Sequence, residues 1–378
     1  MDNDERILKY IEGNMEEYIG FLKEFVELES PSHENKEASD RCCDLIQKKF
    51  SALGFKMERI PQITCGDHLY GELGGGEKGV VFVGHYDTVY PLGAIKTMPF
   101  RVEDGKAFGP GTLDMKGGIV MAYMAIKALI EENCLPKTKI GLFFNSDEES
   151  GSFFSRELII EKSKEYKAAL VMEPGINDIN SIKVKRYGRG TYTITAHGIA
   201  AHSGSNPHLA VSAILELSNQ LKRIEKWNEE TEGVTFAPVH INGGIPGTCM
   251  IPDKAFFTMD VRYETEEMAA KIHDMIMNLQ AIIPEASIEV QGKIDKPVMV
   301  GDKNLFDLVY AAGKRFNLDI IGTTVGGGSD GNFTSSEGIP TLDGLGTTGE
   351  FLHNPNEYIH LNHVPQRIAT VATLLKNF

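Results

Sequence analysis

The sequence predicts an α/β fold: a central, mostly parallel mixed sheet flanked by helices, interrupted by an inserted α+β domain of ferredoxin-like order. Three observations carry this expectation. Strands and helices alternate over the first half, and the strands are continuous apolar runs such as "VVFV" and "LFF", the pattern of a sheet covered on both faces. From about Lys183 the strands turn to half-buried alternation, "RGTYTITAHG" being the first, and the order becomes strand-helix-strand-strand-helix-strand. After about Asp295 the first texture returns through "LFDLVYAAGKRF". The expected division is therefore 1–182 and 296–378 as two parts of one larger domain, with 183–295 inserted between them. A length of 378 residues agrees, since it exceeds what one core usually holds.

Taken in order, two helical patterns open the chain at 4–28 and 34–53, with Ser32 as candidate N-cap of the second. "HLYGEL" and "GVVFVGH" follow as strands, and then a long loop rich in Gly and Pro. "KGGIVMAYMAIKALIEE" is predicted as a helix, "KIGLFFN" as a strand, "SRELIIEKSKE" as a helix and "AALVME" as a strand. Within the insertion, "HLAVSAILELSNQLKRIEKW" is an amphipathic helix and "GVTFAPVHING" and "KAFFTMDVRY" are strands. A helix near Glu266–Gln280 and the strand "SIEVQGK" close it. A Gly-rich loop and a final helix complete the larger domain.

Composition removes some functions. A net charge of −15 argues against nucleic acid, whose phosphates call for Lys/Arg surfaces, and fits a protein that collects cations. The five cysteines are odd in number and form no Cys-x-x-Cys, which suits a reducing compartment and gives no thiolate zinc cluster. The amino terminus has neither a basic nor an apolar leader region, and no run of about 20 apolar residues occurs. A cytoplasmic protein, neither secreted nor in a membrane, is expected.

The chemistry gathers at strand ends. "GLFFNSDEESGS" delivers three consecutive acids, Asp147, Glu148 and Glu149, from a strand of Leu and Phe. Adjacent carboxylates repel and cost more to keep ionised as they leave water, so a nearby positive charge is called for. "VFVGHYDTV" places His85 and Asp87 at i and i+2 on one face; alone, this also reads as a solvated strand-end pair. Asp114 in "GPGTLDMKGG" precedes a helix, where an isolated Asp is a plain N-cap. Glu173 in "LVMEPG" ends an apolar strand that Pro174 stops; a salt-bridge partner is its other reading. His353 in "GEFLHNPNEY" lies in a polar loop. In open α/β sheets, ligands bind outside the strand carboxyl ends, where these groups should converge. Nitrogen and oxygen donors without sulfur suit zinc, cobalt or manganese. The surplus of carboxylates suggests two ions about 3.5–4 Å apart with one acid between them.

The ordered set "GHYDTV", "GPGTLDMKGG", "NSDEESGS", "MEPG", "AHSG", "DVRY", "GGGSD" and "FLHNPNEY" resembles the dizinc metallopeptidase family of glutamate carboxypeptidases, aminoacylases and succinyl-diaminopimelate desuccinylases. The likeness runs from about residue 65 to the end and is strongest to the glutamate carboxypeptidase branch. It implies two zinc ions per chain, replaceable by cobalt or manganese. His85 and Glu173 would hold one, Glu149 and His353 the other, and Asp114 would bridge them, with a cis peptide after it. Asp87 would orient His85, and Glu148 would be the general base that takes a proton from the attacking water. The resemblance further implies a homodimer through the inserted domain, which acts as a lid. His202 in "AAHSGS", otherwise a polar loop histidine, would stabilise the oxyanion in the partner's site.

Arg262 in "DVRY" would contact a substrate carboxylate, or form a salt bridge within the lid; both readings stand. Gly327 and Gly328 of the Gly-rich loop would border the substrate, and without a Lys-Ser/Thr sequel the loop is weak as a phosphate cradle. Two departures concern specificity. Cys249 stands where the family commonly has Asn, and Thr324 and Val325 stand where glutamate-specific members carry Arg. The implied activity is hydrolysis of an amide beside a free carboxylate, in a small peptide or an N-acyl amino acid. A deacylase of aminoacylase or desuccinylase type is the alternative, and a non-catalytic metal-binding scaffold the non-enzymatic one. The presence of Glu148 beyond the implied ligands favours the enzyme.

Overall fold

The computed structural model describes residues 2–32 and 35–378. The chain forms two compact units. The first comprises Met1–Lys185, Met299–Val325 and Ser329–Phe378; the second comprises Arg186–Val298 with Gly326–Gly328.

The first unit is built on a six-stranded mixed sheet. Its strands are β1 (Lys56–Ile60), β2 (His68–Leu73), β3 (Lys78–His85), β4 (Lys139–Asn145), β5 (Ala168–Val171) and the short Thr341–Leu342, in the order β1-β2-β4-β3-β5 with the short strand last. β3 runs parallel to both β4 and β5, and β5 runs parallel to Thr341–Leu342. β1 and β2 add antiparallel pairings at one edge. The apolar runs behave as expected of covered strands: Val80, Val81, Phe82 and Val83 are all buried.

The helix Gly117–Glu131 is apolar on nearly every face because it lies between strand β3 and the helices Asn3–Gly13, Met15–Glu27 and Val364–Lys376. Its start presses on the end of β5. A Cβ at Gly118 would fall 1.9 Å from the Met172 carbonyl oxygen, so only glycine permits that approach.

Several expectations need correction here. The helix expected over 4–28 is two helices, Asn3–Gly13 and Met15–Glu27. They break at Asn14, whose N–H closes the first by donating to Ile11 O and whose carbonyl accepts from Glu17. The second expected helix spans Lys36–Ala52, and its cap is Asn35, whose side chain accepts from Ala38 N at 2.9 Å. Residue 34, the expected start, lies outside the described residues, and Ser32 instead meets Ser150 Oγ at 3.0 Å. The Gly- and Pro-rich loop contains two short strands, Arg101–Glu103 and Lys106–Phe108. They join Tyr358–His360 and Gly349–Glu350 in a four-stranded antiparallel sheet.

The second unit is a four-stranded antiparallel sheet of β6 (Gly188–His197), β7 (Val234–Gly243), β8 (Lys254–Tyr263) and β9 (Ser287–Lys296), in the order β7-β8-β6-β9. With helices Ala213–Glu230 and Glu266–Met277 packed against it, this is the ferredoxin-like order. Alternate residues of β8 point into a core with Tyr192, Ile194, Leu217, Ile224 and Ile272. The unit begins a few residues later than 183 and ends later than 295. The strand Ser181–Arg186 pairs with Met299–Val300 and Ile321–Val325 and so belongs mostly to the larger unit. Among the described residues no helix is long and apolar enough to cross a membrane.

Candidate active site

Because β3, β4 and β5 are parallel neighbours, their carboxyl ends lie side by side and bring three acidic or imidazole segments together. His85 closes β3 and Asp87 follows it; Asp147, Glu148 and Glu149 follow β4; Glu173 follows β5. Asp114 comes from the loop before the helix Gly117–Glu131, where the Asp114-Met115 peptide is cis. His353 comes from the loop between Gly349–Glu350 and Tyr358–His360, with a positive φ of 56°.

Asp114 is the centre of the cluster. Its Oδ1 lies 3.1 Å from His85 Nε2 and its Oδ2 lies 3.1 Å from His353 Nε2, one oxygen for each ring. Glu173 Oε1 is 3.2 Å from His85 Nε2, and Glu149 Oε2 is 3.3 Å from His353 Nε2. Asp87 braces the arrangement from behind. Its carbonyl lies 3.1 Å from His85 Nδ1, and its carboxylate accepts from Glu148 N at 3.3 Å and Glu149 N at 3.1 Å. Nε2 is therefore the ring nitrogen of His85 turned to the acids. His85, Asp87, Asp114, Glu148 and Glu173 are buried, whereas the His353 side chain is 45 % exposed and borders solvent.

The electrostatics show how strongly these groups are set against one another. Burial opposes a charge on His85, yet Asp114, Asp87 and Glu173 hold its pKa well above the usual imidazole range. Hydrogen bonds to Asp114 and Glu149 raise His353 to about 10. Asp114 is held low against its burial by His353 and His85. Burial, then the charge of Asp114, pushes Glu149 up to about 8, although His353 opposes the rise.

Two overlapping groups have donor atoms within 4.8 Å of one another: His85, Glu148 and Glu173, and His85, Asp114 and Glu149. Glu149 Oε1 is buried with no hydrogen-bond partner among the described residues. Carboxylates and imidazoles without sulfur, crowded this closely and leaving a buried oxygen unpaired, fit a divalent metal.

Three residues that the sequence reading passed over support this cluster. Glu357, buried behind Asp114, accepts from the peptide N–H of Leu113 and Asp114; burial raises its pKa to about 7. Asp330, also buried, accepts from Asn145 Nδ2 and Ser152 Oγ, on either side of the acid segment. Lys116 is fully buried and donates to the Leu28 and Phe25 carbonyls at 2.7 and 3.2 Å. The carbonyl and N–H partners of Lys116 and Glu357 leave no mark in a sequence. All three lie inside motifs of the ordered set, "GPGTLDMKGG", "GGGSD" and "FLHNPNEY", but their partners were not legible there.

The remaining candidates lie in the second unit. Arg262 donates from Nε to Asp260 Oδ1 at 2.6 Å, from Nη2 to Oδ2 at 3.2 Å and from Nη1 to Gly326 O at 3.2 Å. Of the two readings open for it, the salt bridge is the one seen. The Gly327 and Gly328 carbonyls accept from Arg186 Nη1 at 3.0 and 3.2 Å. His202 Nδ1 accepts from both Gly204 N and Ser205 N at 3.1 Å, which leaves the proton on its exposed Nε2. The exposed Cys249 accepts from Ser203 N through its carbonyl at 2.8 Å.

Comparison with known proteins agrees with this architecture. The profile of peptidase family M20/M25/M40 matches residues 81–377. Carboxypeptidase G2 of a Pseudomonas species is 30% identical over 342 residues, covering 88% of this chain and 82% of that protein. A succinyl-diaminopimelate desuccinylase of Nitrosospira multiformis is 29% identical, covering 86% and 89% respectively. In fold, a tripeptidase of Staphylococcus aureus superposes with a TM-score of 0.82 at 20% identity, over 96% of this chain and 98% of the other. The chain belongs to peptidase family M20/M25/M40 and is a metal-dependent hydrolase of that family.

Proposed function

We propose that the protein cleaves the amide bond beside a free carboxylate in small peptides or N-acyl amino acids, with two zinc ions per chain. The observation that carries this reading is Asp114, whose two oxygens each face one imidazole. His85 and Glu173 would hold one ion and Glu149 and His353 the other, with Asp114 shared; cobalt or manganese would substitute. Bound there, the ions would polarise the scissile carbonyl and make water nucleophilic near neutral pH.

The chain supplies the rest. Glu148, next to a ligand but outside the proposed ligand set, takes the proton from the attacking water and passes it to the departing nitrogen. Asp87 fixes the His85 ring and, through the peptide N–H groups of Glu148 and Glu149, the acid segment. Arg262 keeps its salt-bridge role, and no side chain is assigned to glutamate recognition, in line with Cys249 and Thr324. The relative named a desuccinylase keeps N-acyl amino acids beside peptides as substrates. A cytoplasmic setting is consistent with all five cysteines being free. The test is turnover of a dipeptide and N-acyl amino acid library by zinc-loaded protein, each compound paired with its carboxyl-terminal amide. Cleavage of the free acids alone is expected; equal cleavage of the amides would refute the carboxylate requirement.

Stripping the metal should load protons onto the cluster. With Glu149 at about 8 and His353 at about 10, both are mostly protonated at pH 7, while ligation needs a carboxylate and a neutral imidazole. Rebinding zinc should therefore release protons, and affinity should rise with pH through about 8, where Glu149 ionises, and on to about 10, where His353 loses its proton. Calorimetry of the stripped protein in two buffers of different ionisation enthalpy measures this. An observed heat independent of buffer would contradict it.

We also propose a homodimer through the inserted domain, with His202 completing the partner's site. The edge strand β7 supports this: its outer end exposes Val239 and Ile241, with Ile214 and Leu215 also exposed on the helix Ala213–Glu230. His202→Ala should lower kcat by about 10²–10³-fold, the cost of one oxyanion donor, without changing metal content. Mixed with a Glu148→Gln protein it should regain activity after subunit exchange, since one site then has both groups intact. A monomer that is fully active by light scattering and assay would end this reading.

A further inference from the structure

Glu357 is a buried carboxylate whose two oxygens are fully engaged, and every partner belongs to a segment near the candidate metal centre. Oε1 accepts from Leu113 N at 2.7 Å and Asp114 N at 3.1 Å. Oε2 accepts from Gly111 N at 3.3 Å and from the Tyr90 hydroxyl at 2.5 Å. Four donors match the roughly four lone-pair positions of a carboxylate. Three of them are peptide N–H groups from one short stretch, Gly111 to Asp114. They converge because Gly111 is left-handed, at φ 74°, a conformation open to glycine, and a Cβ there would also press on Thr88 Cγ2 at 2.7 Å.

The same residue anchors two further segments. Glu357 ends the turn that carries His353, and its own N–H donates to Asn354 O at 2.9 Å. Tyr90 lies three residues beyond Asp87, and its hydroxyl is also 3.0 Å from Asn354 O. Glu357 itself is in neither group of close-set metal donors. It therefore touches the backbone behind Asp114 while its chain neighbour His353 faces the same Asp114 from the front.

Resting on the metal reading above, we propose that Glu357 is a positioning residue that joins the Asp114 loop to the His353 turn and so sets the separation of those two ligands. A residue that only filled a buried space would affect folding. A residue that sets ligand separation affects metal affinity in the folded protein, and changes in such outer partners typically cost about 10–100-fold.

Glu357→Gln tests this, because the amide keeps the shape, retains one acceptor oxygen, and turns an N–H group against peptide N–H donors. The measurement is zinc affinity by competition with a chromophoric chelator, together with the visible spectrum of the cobalt-substituted protein and the melting temperature after metal removal. The expected result is an affinity about 10–100-fold weaker and an altered cobalt spectrum, with a cooperative melt retained. Tyr90→Phe, which removes one of the four hydrogen bonds, should shift affinity in the same direction by less, and serves if Glu357→Gln does not fold. Wild-type affinity and spectrum in both variants, with only the melting temperature lowered, would overturn the proposal alone. Failure of the wild-type protein to bind any divalent ion in the same assay would overturn the metal reading and this inference with it.

Discussion

Replacing Glu148 by Gln should leave the metal in place and reduce kcat by about 10²–10⁴-fold, the usual contribution of a general base. The geometry makes this a clean substitution. The Glu148 backbone is pinned by Asp87 Oδ1, and the segment on either side is held by Asp330 through Asn145 and Ser152. A glutamine of nearly the same shape therefore occupies the same place, and the change falls on proton transfer. An amide nitrogen cannot take up the proton of the attacking water, and the departing amine then lacks its donor as well. Metal content and kcat should be measured on one preparation. Near-normal kcat with the metal retained would take Glu148 out of its role; loss of metal would instead place it among the ligands, alongside His85 and Glu173, which it approaches within 4.8 Å.

The parts of the fold that were legible are those whose reason is local. "VVFV" and "LFF" are strands covered on both faces, and nothing but burial explains four apolar residues in a row. Strand β1, "KMERI", was not recognised because it lies at the sheet edge with its side chains largely outside. The cap at Asn35 was misassigned to Ser32 because both residue types cap equally well. The choice is made by Ser150, distant in sequence, which occupies the Ser32 hydroxyl. The break at Asn14 is hidden for another reason: an amphipathic period runs through it, while the break itself is made by backbone groups, Asn14 N donating to Ile11 O and Glu17 N to Asn14 O.

The site divides along the same line. That His85, the acids after β4 and Glu173 would meet was legible because neighbouring parallel strands end on one side of the sheet, a rule of topology that needs no coordinates. Glu357 could not, because its partners are peptide N–H groups more than two hundred residues earlier in the chain. Arg262 is an instructive middle case. In "DVR" the acid and the guanidinium stand at i and i+2, on one face of β8, so their pairing was readable from strand period alone. The sequence left a salt bridge within the lid and a contact to a substrate carboxylate both open for it, and strand period bears on the first alone.

Asp114→Ala should have the widest effect of any single change at the site, because it removes the one group shared by both halves. Oδ1 serves the side of His85 and Glu173, and Oδ2 the side of His353 and Glu149. Without it, each side keeps one imidazole and one carboxylate, too few to hold a zinc ion against water, which prefers four ligands. The backbone should survive: Asp114 N still donates to Glu357 Oε1 and Leu113 N beside it does the same, so the loop retains its anchor. Elemental analysis of dialysed protein should therefore fall from two ions per chain to fewer than one, with activity lost by more than the about 10–100-fold typical of outer partners. His353→Ala is the matched control. It leaves His85, Glu173 and Asp114 together and should weaken one ion first, giving a protein that holds a single ion. Chelation of the wild type should abolish activity, and added zinc should restore it. If wild-type protein is fully active with one tightly held ion, or if Asp114→Ala retains both, the shared carboxylate is not a bridge and the dinuclear reading fails.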